Sequence, residues 1–118
     1  MRLNHIDLQV PDVQQAAAFF ERWFAFELQS SPRSPAIAIL RGADGFCLVL
    51  QRRGQDERYP ATFHVGFLLN DPAQVLDFHT RARGAGLHIS DVERTARGTL
   101  TYLRAPGELL IEISCRSA

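Results

Sequence analysis

The chain has 118 residues, and its 13 basic and 13 acidic side chains give a formal net charge of zero. This length suits one compact domain or two half-size modules that share a structure. The balanced charge argues against nucleic acid or an anionic membrane as the main partner, because both select a basic surface. All 13 basic residues are arginine, which excludes catalysis through a lysine Schiff base.

Cysteine content and hydropathy indicate the cellular compartment of the protein. Cys47 and Cys115 are the only cysteines in the sequence, and they form no CxxC motif. Isolated cysteines in strand-like runs are typical of reduced, packed thiols, although the sequence does not exclude a disulfide between them. No apolar run approaches the roughly 20 residues needed to span a bilayer. Met1 leads into a polar segment without a signal-peptide pattern, so we expect a soluble cytoplasmic protein.

The first half of the chain predicts a strand, a helix and three more strands. Apolar and polar side chains alternate over residues 2–10, which is typical of a strand with one apolar face. Asp12, with Gln15 three positions later, resembles a capping box and begins a helix that runs to about Trp23. Further strands are expected at residues 27–30, 36–41 and 46–52, the last two joined by a hairpin turn at Asp44-Gly45.

The second half repeats this order. Residues 62–70 predict a strand, and Asp71 with Pro72 predicts the start of a helix that ends near Gly84. Closing strands are expected at residues 87–92, 99–104 and 109–115. The polar, charged stretch between the halves is typical of a solvated link. We therefore predict an α+β fold of two tandem βαβββ modules in one domain, residues 1–118: module one at about 1–53, a connector at about 54–61 and module two at about 62–118.

The two halves share a repeated histidine. His5 and His64 are 59 residues apart, which is half of the chain length. Each lies near the start of a predicted strand, in Asn-His-Ile-Asp-Leu and Phe-His-Val-Gly-Phe respectively. The same offset relates three further pairs: Asp12 with Asp71, Gln15 with Gln74, and Phe19 with Phe78. A two-copy repeat indicates a paired architecture rather than a long repeat array, and related strands can bring their histidines to one cavity.

Strand parity predicts a metal-ligand set on one side of the sheets. If the alternate apolar residues pack on the helices, His5 and His64 face away from them, and Glu112 of the last strand joins the same side. Two imidazoles and a carboxylate are the ligands of many non-haem iron sites, and they also suit zinc, nickel or manganese. Because Glu112 lies between two isoleucines, its charge needs a partner. That partner is either a metal ion or an arginine such as Arg104.

Three segments give the chain a resemblance to a known family. They are Asn-His-Ile-Asp-Leu-Gln-Val-Pro-Asp-Val at 4–13, Phe-His-Val-Gly-Phe-Leu-Leu-Asn-Asp-Pro at 63–72 and Ala-Pro-Gly-Glu-Leu-Leu-Ile-Glu-Ile at 105–113. Together with the βαβββ order, they resemble the vicinal oxygen chelate superfamily, which includes glyoxalase I, the bleomycin-resistance proteins and the extradiol dioxygenases. The resemblance implies curved mixed sheets around an open cavity. It also implies a divalent metal ion that binds two neighbouring oxygens of a small substrate.

Carried over position by position, the resemblance assigns His5, His64 and Glu112 as metal ligands, with Glu112 also catalytic. A fourth family ligand, a carboxylate on the last strand of module one, falls at Val49, which cannot bind a metal ion. Tyr102, ten residues before Glu112, resembles a substrate-binding tyrosine of the dioxygenase branch and is the second catalytic candidate. Substrate contacts are expected from five side chains that face the cavity: Asp7, Gln9, Val49, Gln51 and Leu110.

The sequence leaves three functions open. The first is a metal-dependent enzyme, either a glyoxalase-like lyase or isomerase or a ring-cleaving dioxygenase, that uses Fe, Zn, Ni or Mn. The second is a metal-free protein that binds or sequesters a small molecule, as bleomycin-resistance proteins do, and Val49 favours it. The third is a regulatory module that kept the fold and lost the chemistry. We expect a homodimer, because open sheets leave edges to cover, with the site within one chain or between two.

Overall fold

The structure is a computed structural model that describes residues 1–117. The chain divides into two compact units, Met1–Arg58 and Tyr59–Ala118. This division falls inside the stretch that the sequence predicts as a connector, residues 54–61. Each unit contains one helix and one mixed sheet, so the predicted α+β fold is confirmed.

The first unit is a βαβββ module in which one helix packs on a four-stranded sheet. Its elements, in chain order, are β1 (His5–Val10), α1 (Val13–Phe24), β2 (Glu27–Leu28), β3 (Ile37–Arg41) and β4 (Cys47–Arg52). The strand order across the sheet is β1-β4-β3-β2. Strand β1 runs parallel to β4, and the other neighbours are antiparallel. The parallel pair is possible because a helix and two strands separate its members along the chain.

Helix α1 begins and ends at positions that local chemistry explains. The Asp12 carboxylate accepts a hydrogen bond from Gln15 N at 3.0 Å, as an N-cap does. Ala25 ends the helix in the left-handed region, with φ of 55°. One face of the helix packs on β3 and β4. The buried side chains of this core are Val13, Ala16, Ala17 and Phe20 from the helix and Leu8, Val10, Ala38, Leu40, Leu48 and Leu50 from the sheet.

The second unit follows the same plan with one additional strand. Its elements are β5 (His64–Leu68), α2 (Pro72–Gly84), β6 (His88–Ile89), β7 (Glu93–Thr95), β8 (Gly98–Ala105) and β9 (Leu109–Arg116). The strand order is β5-β9-β8-β6, and β7 also pairs with β8. Strand β5 is parallel to β9, so the first and last strands of both units pair in the same way.

Helix α2 is capped like α1 and covers the second core. The Asp71 carboxylate accepts a hydrogen bond from Ala73 N at 2.8 Å, and Pro72 occupies the first helical turn. The buried apolar side chains include Val75, Phe78 and Ala82 from the helix and Leu103, Leu109, Ile111 and Ile113 from the sheet. Thr101 is buried among them, and its hydroxyl donates to Ser90 O at 2.7 Å, which satisfies the polar group.

One predicted strand differs from the structure. Residues 87–92, expected as a single strand, contain only the short β6, and the chain forms a further strand, β7, at Glu93–Thr95. All three residues of β7 are exposed, so no apolar alternation marks the strand in the sequence. Strand β7 forms because it pairs with β8 across the turn at Ala96 and Arg97.

Both cysteines are free thiols, as the sequence favours. Cys115 is buried on β9, and Cys47 is half-buried on β4. Over residues 1–117, neither helix is both long enough and apolar enough to span a membrane.

Phe20 provides a test of the packing in the first unit. It is 2% exposed, and its ring meets Phe26 edge-on with centroids 5.9 Å apart. We expect Phe20→Ala to lower the free energy of unfolding by about 3–5 kcal/mol, because it removes buried apolar area and leaves a cavity. Urea denaturation followed by circular dichroism measures the change.

The matched control is Leu3→Ala, since Leu3 is 80% exposed. This substitution should change the free energy of unfolding by less than about 0.5 kcal/mol. If Phe20→Ala lost as little as the control, α1 would not be packed on the sheet in the way described.

Candidate functional site

Each sheet turns one face to its helix and leaves the opposite surface open; we call that surface the open face. On β1, Leu8 and Val10 are buried, whereas His5 and Asp7 are exposed. On β9, the isoleucines on either side of Glu112 are buried, and Glu112 itself is half-buried. The parity predicted for the candidate residues is therefore confirmed in both units.

Glu112, Tyr102 and His64 come together on the open face of the second unit. Glu112 is paired with Gly66 of β5 on one side and with Tyr102 of β8 on the other. The Tyr102 hydroxyl donates a hydrogen bond to Glu112 Oε1 at 2.8 Å. The His64 ring meets the Tyr102 ring edge-on, with centroids 5.8 Å apart. The tyrosine that the sequence offers as a substrate contact is thus also the hydrogen-bond partner of the carboxylate.

The arginine considered as an ordinary partner for Glu112 does not fill that role. Arg104 is paired with Leu110 in the β8–β9 register, and its guanidinium donates to Glu108 O at 3.3 Å. No residue within 1–117 donates a hydrogen bond to Glu112 Oε2. That oxygen is available to a cation or a substrate.

Both candidate histidines are oriented by an oxygen next to Nδ1. His64 Nδ1 lies 2.9 Å from Thr62 O, and His5 Nδ1 lies 2.8 Å from Asn4 Oδ1. Because these oxygens accept hydrogen bonds, a neutral imidazole at either position carries its proton on Nδ1 and keeps a lone pair on Nε2. An oxygen acceptor on the far nitrogen is also how proteins orient metal-binding histidines.

Gly66 keeps the carboxylate of Glu112 uncovered on the side of β5. A Cβ atom at position 66 would lie 3.8 Å from both Glu112 Oε2 and Glu112 Cβ. A Cβ there would be in ordinary van der Waals contact with the carboxylate, whereas glycine leaves that space open.

Glu112 also controls the acidity of Tyr102. The hydrogen bond to Glu112 raises the pKa of the Tyr102 phenol above its ordinary value, with further increases from burial and from the charge of Glu112. The positive charge of Arg97 acts in the opposite direction. The phenol therefore keeps its proton through the neutral range and remains a donor to the carboxylate.

A cavity of about 550 Å³ opens beside Glu112. Its lining includes Glu112 and Ser114 of β9, Leu68 of β5, and Arg97 in the turn between β7 and β8. The sequence does not mark Arg97 as a site residue, because neither β7 nor the turn that follows it has a recognisable pattern. Alternation along the chain carries no signal that would bring this arginine to Glu112.

The open face of the first unit carries four of the five predicted substrate contacts. Asp7 is paired with Val49, and Gln9 is paired with Gln51. Gln9 Nε2 donates to Asp7 Oδ1 at 2.8 Å, and Gln51 Nε2 donates to Asp7 Oδ2. The fifth contact, Leu110, lies on β9 of the second unit and is half-buried.

The three predicted metal ligands are divided between the units: His5 lies in the first, and His64 and Glu112 lie in the second. Among residues 1–117, no group of three or more His, Cys, Asp or Glu side chains is placed to hold a metal ion. The donor chemistry itself fits a divalent ion, with Nε2 of each imidazole and one carboxylate oxygen uncommitted. The three-ligand set stays a prediction.

The sequence matches the model of the Glyoxalase/Bleomycin resistance protein/Dioxygenase superfamily over residues 2–113. The chain belongs to this superfamily, and the resemblance to vicinal oxygen chelate proteins is confirmed. No curated protein matches the sequence.

Solved structures from three organisms show the same fold. A possible glyoxalase from Bacillus cereus is 35% identical with a TM-score of 0.87, over 98% of this chain and 99% of that chain. Lactoylglutathione lyase from Agrobacterium tumefaciens is 18% identical with a TM-score of 0.75, over 97% and 92%. A mutant of the fosfomycin resistance protein FosX from Listeria monocytogenes, complexed with Mn(II) and 1S,2S-dihydroxypropylphosphonic acid, is 19% identical with a TM-score of 0.80, over 98% and 92%. At their low identities, the last two show a shared fold alone.

The Tyr102–Glu112 hydrogen bond predicts a measurable change in acidity. We expect Glu112→Gln to lower the pKa of Tyr102 toward its ordinary value, because the substitution removes the negative charge of the acceptor. Alkaline titration followed by phenolate absorbance measures this pKa. The chain has two tyrosines, Tyr59 and Tyr102. The substitution Tyr59→Phe is therefore added to the reference chain and to every variant, so that the phenolate signal comes from Tyr102.

The control for this titration is Asp77→Asn, which removes an exposed carboxylate on α2. Asp77 is not among the groups that shift Tyr102, so this variant should leave the pKa of Tyr102 unchanged. An equal pKa in Glu112→Gln and in the control would contradict the hydrogen bond.

Proposed function

We propose that the protein is a metal-dependent enzyme acting on a small molecule that presents two neighbouring oxygens. Its proposed metal ligands are His5, His64 and Glu112. The observation that carries the proposal is the Tyr102–Glu112 hydrogen bond beside His64, which leaves one carboxylate oxygen and one imidazole nitrogen uncommitted. His5 has the same tautomer and the equivalent position, the first residue of the first strand, in the other unit.

The ligand types narrow the choice of ion. Iron, zinc, nickel and manganese all accept a mixture of imidazole and carboxylate. Such an ion, when bound, supplies Lewis-acid polarisation of the substrate oxygens. Manganese is the first ion to test, because a FosX structure from this fold contains Mn(II).

The other groups of the site have separate proposed roles. Tyr102 holds Glu112 Oε1 and so fixes the direction of Oε2. Arg97 adds positive charge to the cavity that Glu112 lines, which favours a substrate with an anionic oxygen. Side chains of the two open faces complete the proposed substrate contacts: Asp7, Gln9, Val49, Gln51 and Leu110.

Between the two reaction classes, we propose a glyoxalase-like lyase or isomerase rather than a ring-cleaving dioxygenase. In the first class a carboxylate moves a proton between neighbouring atoms of the substrate, and Glu112 is suited to that role. In the second class Tyr102 would contact the substrate, but its hydroxyl proton is already donated to Glu112. The Bacillus cereus structure described as a possible glyoxalase supports the first class.

We also propose a homodimer. Two large apolar side chains stay exposed on the open faces, Leu68 at 59% and Ile39 at 37%. Ile39 is paired with Val49, and Leu68 is paired with Ser114. A two-fold symmetric interface is a common means of covering such surface, and sedimentation equilibrium measures the mass that decides it.

Metal binding is the direct test of the proposed function. We expect tag-free protein, reconstituted with Mn(II), Fe(II), Zn(II) or Ni(II) and desalted, to retain a stoichiometric amount of one ion. His64→Ala should weaken the affinity by at least about 10-fold, because it removes a ligand nitrogen. Plasma mass spectrometry measures the content, and isothermal titration calorimetry measures the affinity.

His88→Ala is the matched control, since His88 is an exposed histidine on β6 of the same unit. Its affinity should equal that of the unaltered chain. Failure of every ion to bind would overturn the metal-dependent enzyme. Small-molecule melting shifts that persist in a chelator would then support the metal-free sequestering function.

A further inference from the structure

A further cavity lies in the first unit, where the parallel strands β1 and β4 end. Its volume is about 490 Å³. Its lining consists of the residue that follows β1 and of residues from the end of β4 onward: Pro11, Arg52, Arg53, Gly54, Gln55 and Arg58. All six belong to the first unit. None of them is a proposed metal ligand or a proposed substrate contact, so this cavity is separate from the groups assigned above.

The cavity has a strongly basic lining. Three of its six lining residues are arginines, and no acidic residue among residues 1–117 belongs to the lining. Guanidinium groups keep their charge throughout the physiological pH range. Three like charges around one cavity repel one another, and an anion bound among them offsets that repulsion. The charged stretch that the sequence predicts as a solvated link therefore forms part of a candidate anion site.

The two acidic residues of the same stretch do not neutralise these arginines. Glu57 turns its carboxylate to the loop backbone, where Oε1 accepts a hydrogen bond from Gly54 N at 2.6 Å. Asp56 is exposed and does not line the cavity. Within residues 1–117, neither carboxylate forms an ion pair with an arginine. The positive charge of the cavity is therefore left for an external anion.

Arg52 is fixed through its backbone, and its guanidinium is uncommitted. Its backbone N–H donates to Ala36 O at 2.9 Å, which anchors the end of β4. Its side chain forms no hydrogen bond or ion pair with any of residues 1–117. A substitution of this side chain therefore changes the charge of the cavity without removing a polar contact of the fold.

Arg58 is oriented by the loop that it closes. Its Nη1 donates to Gln55 O at 3.0 Å and to Glu57 O at 2.7 Å. These bonds use both protons of Nη1, and the protons of Nε and Nη2 have no partner among residues 1–117. Nε and Nη2 form one planar edge of the guanidinium, and such an edge can bind two oxygens of a phosphate group.

We propose that this cavity binds a small anion that carries a phosphate group. A phosphate group has about 1.5–2 negative charges near pH 7 and three acceptor oxygens, so it can engage several guanidinium groups at once. A carboxylate offers one charge and two oxygens. The cavity volume falls in the range of small-molecule sites, about 300–1,000 Å³. The zero net charge of the chain disfavours a nucleic acid as the source of the phosphate.

Calorimetric titration of the full chain with inorganic pyrophosphate, at constant ionic strength, tests the proposal. We expect Arg52→Gln to raise the dissociation constant by at least about 10-fold at an unchanged melting temperature, because it removes a charge-assisted contact. Arg33→Gln is the matched control, since Arg33 is an exposed arginine between β2 and β3 of the same unit and does not line the cavity. It removes the same charge and should bind pyrophosphate like the unaltered chain.

A conservative variant separates arginine recognition from general electrostatic attraction. Arg52→Lys keeps the positive charge but lacks the planar edge of the guanidinium. Its affinity for pyrophosphate should lie between those of the unaltered chain and Arg52→Gln. An affinity equal to that of the unaltered chain would contradict recognition by the guanidinium group.

Two further probes distinguish the source of the phosphate group. Glycerol 3-phosphate and inorganic phosphate are titrated in the same way. Tighter binding of glycerol 3-phosphate supports a phosphorylated organic ligand, and equal binding of the two supports free phosphate as the ligand.

The remaining outcomes decide between this site and the proposed metal site. His64→Ala should bind pyrophosphate like the unaltered chain, and a loss of binding in that variant would overturn the proposal, because the anion would then depend on the metal-site histidine. Equal affinities in Arg52→Gln and Arg33→Gln, or no pyrophosphate binding by the unaltered chain, would overturn it too. A chain that binds pyrophosphate through Arg52 but binds no divalent ion would refute the proposed function and leave this inference standing.

Discussion

Both units depend on the parallel pairing of their first and last strands, β1 with β4 and β5 with β9. The helix covers one face of this pair, so the two-residue period of the strands sends every second side chain to the open face. Because the strands are in register, each open-face residue has one definite neighbour on the other strand. The neighbours of Glu112 and Asp7 follow from this pairing, and a slip of one residue would turn both carboxylates toward the helices.

The two open-face carboxylates share an electrostatic property. Glu112 accepts a hydrogen bond from a phenol, and Asp7 accepts hydrogen bonds from two amides. A guanidinium partner would neutralise the charge as well as satisfy the oxygens, whereas neutral donors only orient the carboxylate. The hydrogen-bond donors to Glu112 and Asp7 are thus neutral groups, and both carboxylates lie on the open faces of their sheets. The pairing of β8 with β9 places Tyr102 beside Glu112, so the orientation of this proposed metal ligand depends on the strand pairing.

Much of the fold could be predicted because its signals are local. The caps at Asp12 and Asp71 and the alternation around His5 and Glu112 depend on residues close in the chain, and the structure agrees with all of them. Strand β7 gave no such signal, since its exposed residues carry no apolar period. The hydrogen-bond partner of Glu112 could not be predicted from the sequence either. Tyr102 and Arg104 share a strand face, and only the register of β8 against β9 decides which of them lies beside the carboxylate.

The sequence by itself determined the α+β class, the two-module organisation, the superfamily and the faces on which the candidate residues lie. Periodicity and helix caps are properties of neighbouring residues, and the repeated histidine is visible when the two halves of the chain are compared. Only the tertiary structure decided that Tyr102 donates a hydrogen bond to Glu112 and that Arg97 and Glu112 line one cavity. It also decided that Asp7 of β1 is paired with Val49 of β4. These facts depend on pairing between strands distant in the chain. Composition and spacing along one strand carry no record of which residue of another strand will lie beside it.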